Sequence, residues 1–260
     1  MIYERVAMKN FRLFMLIIIL SFSVKANQSM VEVIQKVKPS VVGVGITTPM
    51  NSPANQLQGT GFVIGDGHYI ATNYHVVSTS LNPDVVQYRS VYAGNAKNTK
   101  TYRAEIVDID PAHDLAILKI DTKLTPLKIA PDEFVPEGTH IAFTGFPIGA
   151  VLGLYPASHR GMIAAITPDA IPARRSDQLS INMLDRLQKV FLIYQLDATA
   201  YPGNSGSPMY LSDSGVVVGV INKVFVAETK ESVLSKPSGI SYAIPVMHLR
   251  KLAAKSNIAL

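Results

Sequence analysis

Cysteine and tryptophan are both absent from the 260 residues. Without cysteine there is no disulfide framework, no thiolate metal ligand and no thiol nucleophile. Export stays open, because a domain of this size does not depend on disulfides. Without tryptophan there is no indole on which bases could stack. Positive charge is scarcer than the net +5 indicates: residues 1–26 hold four of the 24 Lys and Arg and one of the 19 Asp and Glu, so the remainder carries 20 against 18, a net of +2. A body so nearly neutral offers no basic footprint for phosphates, and nucleic acid is excluded as the main partner. Long apolar runs are missing too. The longest, Leu13–Leu20, falls short of the about 20 residues that span a bilayer.

That run is informative for another reason. Arg5, Lys9 and Arg12 precede it, and Val24-Lys25-Ala26 follows with a small residue at its end. A basic start, a short apolar core and a small-residue exit describe a secretory signal peptide over residues 1–26, cleaved after Ala26. An uncleaved anchor is the alternative. Met8 offers a second start, since Met8-Lys9-Asn10-Phe11-Arg12 opens a compact signal by itself. The expectation is an exported protein, periplasmic or secreted, that meets a membrane only in transit.

Residues 27–260 read as one β-rich domain. Ser29 and Glu32 have the spacing of a capping box, with Val31, Ile34 and Val37 at helical spacing before Pro39. Residues 41–46 read as the first strand and 47–58 as a polar surface loop. Short β-rich runs then recur at 61–64, 68–73, 102–109, 115–120, 140–144, 161–166, 192–197, 208–211, 215–221 and 239–244. Many short strands with helices only at the ends predict an all-β barrel or sandwich architecture. Residues 79–100 read as a long loop around a short strand. Residues 167–191 begin with Pro168 and Pro172 and continue into Leu179, Met183, Leu184, Leu187 and Phe191, an amphipathic helix inside an insertion. From Pro245 to Leu252 a closing helix is expected, with Pro in its first turn.

The most demanding stretch is Pro202-Gly203-Asn204-Ser205-Gly206-Ser207-Pro208. Glycines on both sides of a serine let the chain turn sharply and expose the hydroxyl. The same composition also makes an ordinary surface turn. A serine hydroxyl is a poor nucleophile at neutral pH; it needs a histidine to take its proton and an acid to orient that histidine. His75, read as ending a strand in Ala71–Val77, is the candidate base. Asp114, entering the apolar run Leu115–Ile120, is the candidate acid, because a carboxylate there needs a hydrogen-bonding partner. Five other histidines (68, 113, 140, 159 and 248) show that histidine alone says little, and Asp114 could equally cap a turn after Pro111. His113, as the neighbour of Asp114 on a strand, would point away from it.

Together these segments resemble chymotrypsin-fold serine proteases, and within them the HtrA/Deg group. Gly59–Ile64 with Thr72–Val77 resembles the group's histidine motif, Asp114–Ile120 its aspartate motif, Leu196–Ala198 with Pro202–Pro208 its serine motif, and Gly239–Pro245 the strand closing the second barrel. The likeness runs from about Ser29 to Leu252. It implies two six-stranded antiparallel β-barrels, roughly residues 40–125 and 126–245, with short terminal helices and the site in the cleft between them. It implies Ser205 as nucleophile, His75 as base then acid, Asp114 as orienter, and the backbone N–H groups of Gly203 and Ser205 as the oxyanion hole. No cofactor or metal is implied.

The resemblance also implies that the strand ending in Ile221, Asn222 and Lys223 pairs with an extended polypeptide substrate. Thr199, Ala200 and Tyr201 would line the primary pocket. No acid stands in that stretch, and Asp197 lies one turn too early, so small or medium apolar side chains are the expected preference rather than Lys or Arg. Three departures stand out: Ser207 replaces a usual glycine, Lys223 a usual small polar residue, and no PDZ domain follows, so peptide-regulated activation and cage assembly are not implied. A homo-oligomer remains open. The alternative from another class is a protease-fold binding module or chaperone with an idle triad; a cytoplasmic viral-type protease conflicts with the signal peptide.

Overall fold

The computed structural model describes residues 29–95, 98–147, 154–169, 190–222 and 239–260. The proposed signal peptide, Lys223 and most of the 167–191 insertion lie outside them. The chain opens with helix α1 (Met30–Val37), capped as expected: the Glu32 N–H donates to Ser29 Oγ and the Ser29 N–H to Glu32 Oε2, both at 3.3 Å. Its buried face is Val33 and Val37, whereas Val31 is 64% exposed. Of the expected stripe Val37 is buried and Ile34 half-buried while Val31 faces out, because α1 docks on the turn at Gly215, within reach of Val33 and Val37.

The first sheet has the order β5-β4-β1-β2-β3-β7-β6, all neighbours antiparallel. Its strands are β1 (Val41–Thr47), β2 (Asn55–Ile64), β3 (Tyr69–Thr72), β4 (Tyr88–Ala93), β5 (Lys100–Arg103), β6 (Glu105–Asp110) and β7 (Leu115–Lys119). The two edge strands, β5 and β6, are separated by Ala104 alone. The sheet thus curls into a half-barrel whose two edges are joined by the chain, in place of the closed first barrel that was expected. Strand β2 starts at Asn55, inside the supposed loop. Asn55 and Gln56 are polar and exposed, yet with Leu57 they pair with residues 45–47, and pairing overrides composition.

The second sheet is the closed six-stranded barrel β10-β13-β12-β11-β8-β9. Its strands are β8 (His140–Gly145), β9 (Ala157–Pro168), β10 (Leu192–Asp197), β11 (Pro208–Leu211), β12 (Val217–Asn222) and β13 (Ile240–Pro245). Strand β9 continues through Pro168 instead of stopping before it, with Pro168 opposite Leu192 at the strand's end, where a missing N–H costs least. At the base of the insertion the Asp169 N–H donates to the Phe191 carbonyl at 2.9 Å and the Phe191 N–H to Asp169 Oδ1 at 3.1 Å.

The continuous apolar run of β7 is explained by burial on both faces. Leu115 and Ile117 join the core shared with the second barrel, while Ala116 and Leu118 fill the interior of the first. Helix α2 (Tyr74–Val77) is a single turn after β3, and α3 (Val246–Lys255) closes the chain with Leu249, Leu252 and Ala253 buried. Pro245 sits at the N-cap of α3. Among the described residues no helix is long and apolar enough to cross a membrane.

Candidate active site

Asp114 does not lie on a strand. Residues 111–114 form a turn in which the Asp114 N–H faces the Pro111 carbonyl at 3.4 Å, and Asp114 itself has φ 50°. That left-handed conformation is uncommon outside glycine but tolerated by aspartate. It aims the Asp114 carbonyl at two donors, Asn73 Nδ2 at 3.0 Å and the Tyr74 N–H at 3.1 Å. His75 likewise does not end a strand; it sits in α2, just beyond β3. The single-turn helix brings both its N–H and its ring to one carboxylate: the N–H donates to Asp114 Oδ1 at 2.8 Å and Nδ1 to Oδ2 at 2.6 Å.

An ionised carboxylate only accepts, so this bond places the ring proton on Nδ1 and leaves a lone pair at Nε2. A third donor, Asn222 Nδ2, reaches Asp114 Oδ2 at 2.9 Å from β12 of the second barrel. The acid is thereby held from its own turn, from α2 and from the other barrel.

Ser205 lies in a pair of tight turns. The Asn204 N–H donates to the Tyr201 carbonyl and the Ser207 N–H to the Asn204 carbonyl, each at 3.0 Å. Gly203 and Gly206 occupy the third position of these turns with φ 97° and 86°, the sign that a type II turn requires there. Gly206 has a second constraint: a Cβ would collide with the Thr60 carbonyl and the Thr72 hydroxyl. The loop therefore packs on the end of β3, and a point beside Gly59 lies 3.0 Å from the Ser205 carbonyl and 2.7 Å from a Val76 methyl. Ser205 is thus a neighbour of α2, from which His75 projects. Among the described residues Ser205 Oγ makes no hydrogen bond, so His75 and the hydroxyl are not bonded to each other. Nor do the Gly203 and Ser205 N–H groups donate to any described residue, although they sit in a loop whose other amides are occupied.

The remaining sequence candidates divide. Asn222 is almost fully buried and faces Asp114, a role sequence reasoning did not assign. The Ile221 N–H donates to the Ser207 carbonyl and its carbonyl accepts from the Gly206 N–H, both at 2.9 Å. Its backbone already serves the serine loop. Thr199 and Tyr201 are half-buried and Ala200 is buried. Ser241 straps this segment to β13, accepting from the Ala200 N–H and donating to the Ala198 carbonyl, both at 2.8 Å. Asp197 ends β10 and is exposed. Tyr201 lies 6.0 Å from the ring of His159, which stacks on Phe143; burial pushes the His159 imidazole below its usual range. Ser207 is fully buried and its hydroxyl has no partner among the described residues. Among the described residues no group of three or more His, Asp or Glu side chains converges as a metal site.

The family model described as "Trypsin-like peptidase domain" matches residues 59–220, which carry His75, Asp114 and Ser205 but stop short of Ile221, Asn222 and β13. The chain belongs to the trypsin-like peptidase family. Among curated proteins it is similar to a probable periplasmic serine endoprotease DegP-like of Chlamydia muridarum, 28% identical over 78% of this chain and 34% of that protein. It is equally similar to the serine protease HTRA1A of Danio rerio, 28% identical over 86% of this chain and 40% of the other. The chain thus spans between a third and two fifths of the length of these relatives. Among solved structures, Deg5 is 26% identical with a TM-score of 0.59, covering 85% of this chain and 90% of that one. The active form of the Rv3671c protease from M. tuberculosis, 24% identical, shares the fold with a TM-score of 0.62 over 88% of this chain and 85% of the other.

Proposed function

We propose that this trypsin-like peptidase is an exported serine endopeptidase that cleaves polypeptides through an acyl-enzyme, with Ser205 as nucleophile, His75 as general base and Asp114 as its orienter. The observation that carries the reading is the triple anchorage of Asp114, which keeps the His75 lone pair at Nε2 in the turn that packs on the serine loop. Ser205 Oγ attacks the scissile carbonyl while its proton passes to His75 Nε2. The oxyanion then accepts from the two unengaged amides, Gly203 and Ser205. Collapse expels the amine, which takes the proton back from His75, and water repeats the sequence on the ester.

Small or medium apolar side chains precede the bond cut, since Thr199, Ala200 and Tyr201 supply no acid and exposed Asp197 points its charge to solvent. Substrate pairing along β12 does not use Ile221, because its N–H and carbonyl are committed to the serine loop. The basic, then apolar, start of the chain supports export, as does the periplasmic naming of a relative.

One feature favours a second reading, a latent enzyme: Ser205 and His75 are not hydrogen-bonded to each other. Labelling with a fluorophosphonate probe separates the two. Labelling of the wild type, lost in Ser205→Ala and in His75→Ala, supports the enzyme. An unlabelled wild type that leaves unfolded casein intact would establish latency or a binding role. Cell fractionation with amino-terminal sequencing of the product tests export, and a peptide panel cut best after Lys or Arg would overturn the proposed preference.

A further inference from the structure

The two amides proposed for the oxyanion hole belong to a loop that its own turns hold only in part. Its peptide planes can be followed one by one. The plane between Gly203 and Asn204 is fixed at both ends: its N–H donates to Tyr201, within the loop, and its carbonyl accepts from Thr60 Oγ1 at 2.7 Å. In the next plane the Asn204 carbonyl is held by Ser207 and the Ser205 N–H is left over. The plane between Ser205 and Gly206 is again fixed at both ends, its N–H by Ile221 and its carbonyl by the Thr60 N–H at 2.8 Å. One residue of the first sheet thus grips the carbonyls of the two residues whose amides are proposed to meet the oxyanion.

Thr60 is itself fully buried on β2. Its hydroxyl has one proton and gives it to Gly203, while the hydroxyl oxygen accepts from the Phe146 N–H at 3.0 Å. Its carbonyl accepts from Thr72 Oγ1 at 2.7 Å. Every polar group of Thr60 on that side is therefore used, and three of its partners lie 86 or more residues away in the second barrel or at its entrance. The backbone grip on Ser205 needs no particular side chain. The grip on Gly203 needs a hydroxyl.

We infer that Thr60 is the positioning residue of the serine loop: its hydroxyl fixes the Gly203–Asn204 peptide, the plane between the two that carry the oxyanion donors, and so sets their aim. The inference rests on the proposed peptidase reading. It applies to the transition state more than to substrate binding, because the donors are aimed where charge develops.

The experiment compares wild type with Thr60→Val, which keeps shape and loses the hydroxyl, and Thr60→Ser, which keeps the hydroxyl. Hydrolysis of a fluorogenic peptide is measured alongside thermal unfolding and the affinity of a peptide boronate, whose tetrahedral adduct occupies the hole. The expected result for Thr60→Val is a drop in kcat of about tenfold to a hundredfold with KM little changed. Boronate affinity should fall by a similar factor, the pH profile should keep its shape, and Thr60→Ser should restore the rate. Should Thr60→Val not fold, Thr60→Cys serves, as a weaker donor of nearly equal volume. A folded variant without the hydroxyl that retains wild-type kcat overturns the inference and leaves the peptidase reading standing. A wild type inert towards peptide and boronate removes both.

Discussion

Two histidine–aspartate pairs stand four residues apart along the acid turn, and their geometry is nearly the same. His75 Nδ1 meets Asp114 Oδ2 at 2.6 Å, and His113 Nδ1 meets Asp110 Oδ2 at 2.6 Å. In both, the histidine's own N–H donates to the other carboxylate oxygen, at 2.8 Å and 3.2 Å. The surroundings separate them. The first pair is assembled from segments 39 residues apart, takes a further bond from Asn222, and lies beside the serine loop. The second is local, closing the turn from which Asp114 emerges, and its imidazole stacks on His248 at 3.9 Å with Phe191 edge-on at 4.5 Å. A short His–Asp bond is thus not by itself catalytic. What faces the free ring nitrogen decides.

The comparison is sharpest if the first pair is broken. Ser205→Ala or His75→Ala is expected to lower kcat by on the order of a millionfold, and Asp114→Asn by about ten-thousandfold, since the amide would select the wrong tautomer. Hydrolysis of the same fluorogenic peptide measures both. Asn222→Ala should cost less, about tenfold, because Asp114 keeps its two bonds to His75.

The second pair carries a pH prediction through its stacking partner. Burial, then the charges of His113 and Lys251, hold the His248 imidazole down to about 4 against an ordinary 6.5, and Asp110 offsets this only in part. Above pH 6.5 both folded and unfolded chains carry neutral imidazole and the group contributes nothing. Between 6.5 and about 4 only the unfolded chain binds the proton, so stability falls with pH, by about 3 kcal/mol once pH is below 4. Thermal unfolding of wild type and His248→Phe across that window checks the sign: the variant should lose less stability on acidification.

These contrasts show where the sequence was readable. The serine loop was legible because turns at 202–203 and 205–206 need glycine and proline at fixed places, a local requirement. The capping box at Ser29 and the strand after Asp114 were local too. A turn after Pro111 was one of the two readings of Asp114, but its left-handed conformation was hidden, since aspartate followed by an apolar run also looks like a strand edge. The roles of Thr60 and Asn222 were hidden for a different reason. Their hydrogen bonds join residues 143 and 108 positions apart, and no periodicity within one segment carries that information. The strand runs left barrel or sandwich open and a closed first barrel was implied only by the resemblance; that the sheet curls and joins its edges through Ala104 is a long-range property that no single run carries.

The smallest effect should come from the second pair itself. Asp110→Asn keeps an oxygen that can accept from the His113 N–H, turns the bond to Nδ1 round so that the amide donates to it, and removes one negative charge from a partly exposed site. Screened by solvent, that charge contributes at most about 1 kcal/mol to stability. The turn is also anchored independently, by the Asn73 and Tyr74 donors on the Asp114 carbonyl. The expected outcome is therefore kcat/KM within about twofold of wild type, against the ten-thousandfold expected of the same substitution four residues on. A large loss at Asp110 would mean that the turn needs both pairs to hold Asp114 in its left-handed conformation. The distinction between a catalytic and a structural His–Asp pair would then collapse into one network.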